Sequence, residues 1–209
     1  MIRRHMKSLA ILLPVLAAAP ALQGCTGVVV GGAATAGIAG AQERTIGDAV
    51  DDRLIASQLA GRYFQVDEKL FLDVDMEVLE GKVLLTGKVE EVETRLQAEG
   101  IAWQIKGVKA VHNEIQVTTE GGIGSYSKDV WISTQLRTRL LADDNIFAIN
   151  YTVETVNGIV YIMGIAQNEN ELQRVTEQAR TIKGVQRVRT FVRVLTDKER
   201  AAKQPQKSS

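Results

Sequence analysis

Three acidic residues alternate along a predicted strand: Asp73, Asp75 and Glu77. Because side chains on a strand alternate between its two faces, these three carboxylates are expected on one face. That arrangement could hold a cation or supply an acid–base pair, or it could be the solvated face of an antiparallel strand. The matching positions of a similar segment later in the chain hold Asn150, Thr152 and Glu154. We therefore favour the solvated face over a hydrolase site.

Few other side chains could do chemistry. The chain has one cysteine and two histidines, which excludes an intramolecular disulfide and leaves little for a zinc site or a histidine-based triad. His112 lies on a predicted strand, where we expect it to be solvated, and its counterpart in the later segment is Arg189. We predict a protein that is not an enzyme, with no catalytic residue, no metal and no cofactor.

Composition and charge exclude several classes of protein. The 209 residues are 45% hydrophobic and 24% charged, which is typical of globular chains and not of disordered or polytopic membrane chains. Lys+Arg and Asp+Glu both number 25, so the formal net charge is zero. A partner that requires a strongly basic surface, such as nucleic acid, is therefore not expected.

The amino terminus has the pattern of a bacterial export signal over residues 1–24. Three basic residues precede an apolar stretch that is too short, and interrupted by Pro14, to span a bilayer. Leu22-Gln23-Gly24-Cys25 resembles the lipobox of bacterial lipoproteins, and an ordinary secretory signal with a chance cysteine is the alternative. The resemblance implies that Cys25 becomes the acylated first residue. Thr26 stands where an aspartate often signals inner-membrane retention, which favours the periplasmic face of the outer membrane.

The rest of the chain contains two copies of one sequence unit. Residues 52–117 match residues 129–194 without a gap when shifted by 77, and residues 105–108 repeat identically as 182–185. In the second copy we predict a helix with Asp129 as its N-cap, a hairpin turning at Asn157-Gly158, a second helix ended by Gly184, and a closing strand. The first copy has the same order, with Gly107 at the end of its second helix.

These signals predict an α+β protein with two tandem αββαβ domains, each a small three-stranded mixed sheet with two helices on one face. We place the domains at 48–117 and 128–195, joined by a linker at 118–127. An acylated Gly/Ala-rich tether, 25–47, precedes them, and a disordered polar tail, 196–209, follows. The alternative for the tether is a glycine-zipper helix at the bilayer, because Gly27 and Gly31 have small-xxx-small spacing. Each unit is small enough to have a marginal core, so we expect the two to pack on each other.

The repeated glycines resemble those of the BON domain family. A glycine stands in each hairpin turn, another near the end of each second strand, and Gly-Val-x-x-Val enters each last strand: Gly81, Gly87 and 107–111, then Gly158, Gly164 and 184–188. A lipobox followed by two such domains is similar to the outer-membrane lipoproteins of this family. The resemblance implies a non-catalytic protein that binds phospholipid, with anionic lipid contacting the first helix of the second domain.

The two copies differ in charge. The first, 48–117, has 8 basic and 14 acidic residues and is net −6, whereas the second, 128–195, has 9 and 7 and is net +2. The tail from Thr196 adds another +2. An anionic membrane would therefore repel the first copy and attract the second, with each nearby basic residue contributing about 1 kcal/mol.

The first helix of the second copy sharpens this expectation. If its core stripe faces inward, helical geometry turns Trp131 outward with Val130, Thr134, Arg137 and Leu141. An indole at headgroup depth beside a guanidinium suits an anionic phospholipid surface. The alternative is that Trp131 packs against the first copy or the linker.

Two functions follow from these patterns. The first is a lipid-anchored protein on the periplasmic side of the outer membrane that binds anionic phospholipid through its second domain and helps to maintain membrane integrity. The second is an adaptor that binds other envelope proteins through the same helix face.

Overall fold

The computed structural model describes residues 45–119 and 123–203. The predicted signal peptide, Cys25 and nearly all of the predicted tether lie outside the described residues. Within the described ranges, none of the helices has the length and hydropathy that a bilayer-spanning segment requires.

The first copy contains three helices and a small mixed sheet. Its elements are α1 (Ile46–Val66), α2 (Glu68–Asp73), β1 (Val74–Leu79), β2 (Lys82–Val89), α3 (Val92–Trp103), β3 (Ala110–Asn113) and β4 (Gln116–Val117). Strand β2 lies in the centre, antiparallel to β1 and parallel to both β3 and β4. Because β3 and β4 pair with β2 in one continuous register, they act as a single edge strand that is interrupted between them.

The second copy repeats this order. Its elements are α4 (Ile123–Ala142), a 3₁₀ turn (Ala148–Asn150), β5 (Tyr151–Val156), β6 (Ile159–Ala166), α5 (Glu169–Arg180), β7 (Arg187–Val194) and α6 (Asp197–Lys203). The central strand β6 is antiparallel to β5 and parallel to β7. The prediction of an α+β protein built from two αββαβ units is confirmed.

Several element boundaries differ from the sequence prediction. Helix α4 begins inside the segment predicted as linker, and α6 occupies the start of the segment predicted as a disordered tail. Asp73 ends helix α2, so it does not share a strand face with Asp75 and Glu77. Helices α3 and α5 end at Trp103 and Arg180, so the prediction that Gly107 and Gly184 end these helices is wrong. Both glycines have φ +98° in the turns that follow.

A buried aspartate holds each hairpin turn. Asn157 (φ 49°) and Gly158 (φ 73°) form the predicted two-residue turn, and both of their backbone N–H groups donate to the carboxylate of Asp129 at 2.8 Å. Asp52 accepts the same two bonds from Glu80 and Gly81 in the first copy. Asp129 is therefore not an N-cap, because it lies in the second turn of α4 and its carboxylate fixes that helix to the hairpin.

Each copy has its own apolar core, and a third apolar cluster joins the two sheets. Val74, Met76 and Val78 of β1 point toward the helices, whereas Leu79 points to the other side. There it joins side chains from both sheets: Leu84, Val156, Ile159, Tyr161, Met163 and Phe191. The sheets therefore pack face to face, with the helices outside, which explains why one copy alone would leave an apolar sheet face exposed.

The polar contacts between the copies are related by an approximate two-fold axis. The hairpin residue Glu80 accepts two bonds from Arg193, at 2.9 Å from Nε and 2.6 Å from Nη2. The hairpin residue Asn157 donates from Nδ2 to Gln116 Oε1 at 2.8 Å, and Gln116 is the position equivalent to Arg193. A contact in which i meets j and j meets i is typical of a symmetric dimer.

A second set of contacts between equivalent positions lies next to the first along the edge strands. Arg189 Nη2 lies 2.7 Å from Glu114 Oε1, and the rings of His112 and Phe191, the equivalent positions, are 4.8 Å apart. His112 is half-buried on Phe191, so the expectation of a solvated histidine is wrong. Part of the charge divergence of the copies thus serves their own interface, because the first supplies Glu80 and Glu114 and the second supplies Arg193 and Arg189.

Candidate functional site

The outer face of helix α4 is the part of the second copy that the sequence singled out. The helix buries Ile132, Leu136 and Leu140 in its domain core. On the other side, Trp131 is 47% exposed and Leu141 is 77% exposed. The first copy therefore does not cover the indole. The remaining predicted contact residues, Val130, Thr134 and Arg137, are exposed as well.

Hydrogen bonds within the helix make this face less polar than its sequence suggests. The hydroxyl of Thr134 donates to the carbonyl oxygen of Val130 at 2.8 Å. The hydroxyl of Thr138 donates to the carbonyl oxygen of Thr134 at 2.9 Å. Both hydroxyl protons are used, so neither requires a bond to water when the face approaches an apolar phase.

Arg137 is exposed but already engaged. Its Nη2 group donates to the backbone carbonyl of Val153, and the same nitrogen lies 3.7 Å from Glu154 Oε2. The guanidinium is thus directed toward strand β5, and part of its charge is compensated by a carboxylate. The sequence predicts an outward-facing Arg137, but it could not show this partner.

An aromatic residue that the sequence pattern did not indicate lies one turn earlier on the same face. Tyr126 is 69% exposed and precedes Val130 by four residues, which places it beside Val130 along the helix. The sequence predicts a linker over 118–127, which contains Tyr126, because the match between the two copies resumes only at Asp129. With Tyr126 included, the face carries two aromatic rings and two exposed aliphatic side chains. We define this α4 face as Tyr126, Val130, Trp131, Thr134, Arg137 and Leu141.

The first copy has exposed apolar side chains in a different setting. On α3, Val92, Leu96 and Trp103 form a narrow stripe, and Trp103 is 51% exposed. Three glutamates lie on or next to this helix: Glu91, Glu93 and Glu99. The positions of the second copy that are equivalent to Val92, Leu96 and Trp103 hold Glu169, Gln173 and Arg180. The chain's two tryptophans thus have similar exposure but opposite electrostatic surroundings.

Asp75 and Glu77 lie on the sheet face that is directed toward the second copy, where Asp75 is exposed and Glu77 is half-buried. Strand alternation points Asp75 away from the first core, toward β5, and the Asp75 carboxylate contributes to raising the pKa of Glu154. Burial is the larger cause for Glu154, with opposition from the Thr155 N–H and from Arg137, and burial also raises the pKa of Asp75. The described residues hold no group of three or more His, Cys, Asp or Glu side chains placed to bind a metal ion.

Glu154→Gln is expected to raise the melting temperature at pH 7.5. A carboxyl group whose pKa is higher in the folded state stabilises the fold at low pH, and that contribution is lost as the pH rises through the folded pKa. The gain should therefore disappear below the ordinary carboxyl range, about pH 4. Thermal unfolding at the two pH values measures it, with Glu177→Gln as an exposed control. A lower melting temperature at pH 7.5 would show that the ion pair with Arg137 dominates instead.

Comparison with known proteins identifies the repeated unit. Residues 51–119 and 128–196 each match the BON domain. The chain belongs to the BON domain family. The two matches cover both αββαβ units, including the paired aspartates and the two hairpin turns. The family assignment expected from the repeated glycines is therefore confirmed.

The curated relatives that this BON protein matches include an outer membrane lipoprotein. It is 29% identical over 191 residues to "Outer membrane lipoprotein DolP" of Haemophilus influenzae, covering 88% of this chain and 93% of DolP. It is 40% identical over 152 residues to "Uncharacterized protein in gshII 5'region" of Anaplasma centrale, covering 72% and 99%. It is 30% identical over 148 residues to the "21 kDa hemolysin" of Actinobacillus pleuropneumoniae, covering 69% and 75%.

Proposed function

We propose that this BON protein is a non-enzymatic lipoprotein, anchored through Cys25 on the periplasmic side of the outer membrane, and that it binds anionic phospholipid through the α4 face. The observation that carries the proposal is the exposed indole of Trp131, held among apolar side chains on the copy with net positive charge. The similarity to an outer membrane lipoprotein supports the location.

The chemistry of the face suits the headgroup region of a bilayer. Tyrosine and tryptophan rings are amphipathic and prefer the membrane interface, whereas Val130 and Leu141 gain from contact with acyl chains. The acidic first copy would be held away from an anionic surface, so the second copy would approach it first. A protein that is anchored and also covers anionic headgroups would contribute to outer-membrane integrity.

The two tryptophans allow a direct test, because each can be made the only tryptophan in the chain. We expect Trp103→Phe, which leaves Trp131, to show a blue-shifted emission when phosphatidylglycerol vesicles are added, since the indole leaves water. Trp131→Phe, which leaves Trp103, should show no shift, and so serves as the matched control. Both variants are measured in the mature chain with Cys25→Ser, which prevents acylation.

The other outcomes discriminate between the two functions. No shift in either variant would reject lipid contact by the α4 face and favour the adaptor that binds envelope proteins. A shift from Trp103 alone would place the membrane contact on the first copy and contradict the electrostatic argument. Vesicles of phosphatidylcholine should give a weaker response from Trp131, and added salt should weaken the anionic response.

A further inference from the structure

We propose that Lys128 and Lys183 flank Trp131 as the cationic partners of the lipid phosphate. This site occupies the positions of the second copy that are equivalent to the lining of a cleft in the first copy. This inference rests on the proposed function and names the groups that select an anionic headgroup. The sequence pattern predicts this role for Arg137 and for neither lysine.

The cleft of the first copy lies where the start of α1, the hairpin turn and the loop after α3 meet. It has a volume of about 390 Å³, and its lining includes Asp48, Asp51, Leu54, Glu80, Lys106 and Lys109. Of these six side chains, three are acidic, two are lysines and one is aliphatic. This mixture does not favour an anion.

The same six positions of the second copy have a different character. They hold Ser125, Lys128, Trp131, Asn157, Lys183 and Gln186. All three acidic residues are replaced, two by neutral side chains and one by Lys128, and the aliphatic residue becomes Trp131. Asp129, equivalent to the Asp52 that also lines the first cleft, is occupied by the two hairpin N–H groups.

The backbone framework of this region is the same in both copies. In each, a buried aspartate fixes the hairpin turn to the helix. A Cβ on Gly107 would lie 3.2 Å from Ile55 Cδ1, and one on Gly184 would lie 3.4 Å from Ile132 Cδ1. The loop after α5 therefore crosses α4 at Ile132, which brings Lys183, beside Gly184, to the helix turn that carries Trp131.

The second lysine is placed by the helix itself. Lys128 precedes Trp131 by three residues, and side chains with this spacing are neighbours on a helix surface, with Cβ atoms about 5–6 Å apart. The hydroxyl of Ser125 donates to Asn157 Oδ1 at 2.9 Å, which joins the first turns of the helix to the hairpin. Trp131 thus has one lysine from its own helix and one from the crossing loop.

Both lysines are available for an anionic ligand. Both are exposed, and within residues 45–119 and 123–203 neither forms an ion pair with a carboxylate. Arg137, by contrast, is bound to the Val153 carbonyl and lies near Glu154. An ammonium on a flexible stem can reach a phosphodiester while the indole beside it enters the interface.

The test compares partition of the mature Cys25→Ser chain into phosphatidylglycerol-containing and pure phosphatidylcholine vesicles. We expect Lys128→Gln with Lys183→Gln to weaken anionic partition about 25-fold, or about five-fold for each lysine, since a basic residue near the surface contributes about 1 kcal/mol. Partition into phosphatidylcholine should not change. Lys106→Gln, the equivalent of Lys183 in the first copy, should have no effect, and circular dichroism verifies folding.

A gain-of-function variant makes the inference independent of any damage to the second copy. Asp51→Lys with Leu54→Trp gives the first copy the same arrangement, with Lys106 already in place, and should increase anionic partition of a Trp131→Ala chain. Excess glycerol phosphate should not displace the protein, because the indole also requires the bilayer.

The outcomes separate this inference from the proposed function. Unchanged anionic partition of the double lysine variant, with the Trp131 blue shift intact, overturns the lysine assignment and leaves the proposed function standing. Displacement by glycerol phosphate overturns the bilayer as the ligand's source in favour of a soluble phosphate compound. If the parent chain binds neither vesicle, both proposals fall together.

Discussion

Gly87→Ala is expected to lower the free energy of unfolding of the first copy by about 4 kcal/mol, from steric overlap and backbone strain together. Gly87 lies in the central strand with φ +114°, a conformation that L residues rarely adopt. A methyl group there would overlap the carbonyl oxygen of Asp73 and lie 3.2 Å from Val74 Cα. Both neighbours are backbone atoms, so they cannot rotate away.

Chemical denaturation measures this loss, and the first copy itself provides the control. Gly100 lies within helix α3, where an added methyl group would meet nothing within 4 Å. Gly100→Ala should therefore stabilise the protein by about 1 kcal/mol, because alanine has the better helix propensity. A loss below about 1 kcal/mol for Gly87→Ala would mean that the strand end can shift to make room.

Asp129→Ala is expected to cost about 3 kcal/mol and to loosen the α4 face from its sheet. The carboxylate is 6% exposed and accepts two backbone bonds at 2.8 Å. Its removal leaves the turn N–H groups of Asn157 and Gly158 without their acceptor, and bonds to a charged group are worth about 1.5–3 kcal/mol each. Asn157 also binds Gln116 of the first copy, so the loss reaches the domain interface.

Urea unfolding, monitored by circular dichroism, measures this prediction. Asp144→Ala removes an exposed carboxylate from the same copy and should stay within about 0.5 kcal/mol of the parent. Amide hydrogen exchange should show faster exchange at Asn157 and Gly158 in the Asp129 variant. Unaltered exchange there, with unaltered stability, would show that water replaces the carboxylate without cost.

The sequence predicted the architecture because the repeat made each copy evidence for the other. Alternating apolar residues located the strands, and the residue pairs Asn157-Gly158 and Glu80-Gly81 located the turns, since a two-residue hairpin requires positive φ at both positions. Element boundaries were less accurate. The sequence predicts that Gly184 ends a helix, but that helix stops at Arg180 because the following residues form tighter turns, in which the N–H of Ile182 donates to Ala179 and the N–H of Val185 donates to Ile182.

The candidate site was only partly predictable. Helical periodicity was sufficient to place Trp131 and Leu141 on an outer face, because it depends on spacing within one element. The bonds of Arg137 to strand β5, and the position of Lys183 beside α4, depend on residues that are distant along the chain. No pattern within a single helix could reveal them.

What the sequence alone determined is the duplication, the order of elements and the periodicity of each helix and strand, because these properties are local and are repeated in the chain. Only the tertiary structure decided that the sheets pack face to face about an approximate two-fold axis. That packing pairs Glu80 with Arg193 and Glu114 with Arg189, so part of the charge difference between the copies belongs to their interface. The physical reason is that a charged group interacts with the groups that are close to it in the folded protein, and the spacing of residues along the chain does not show which groups these are.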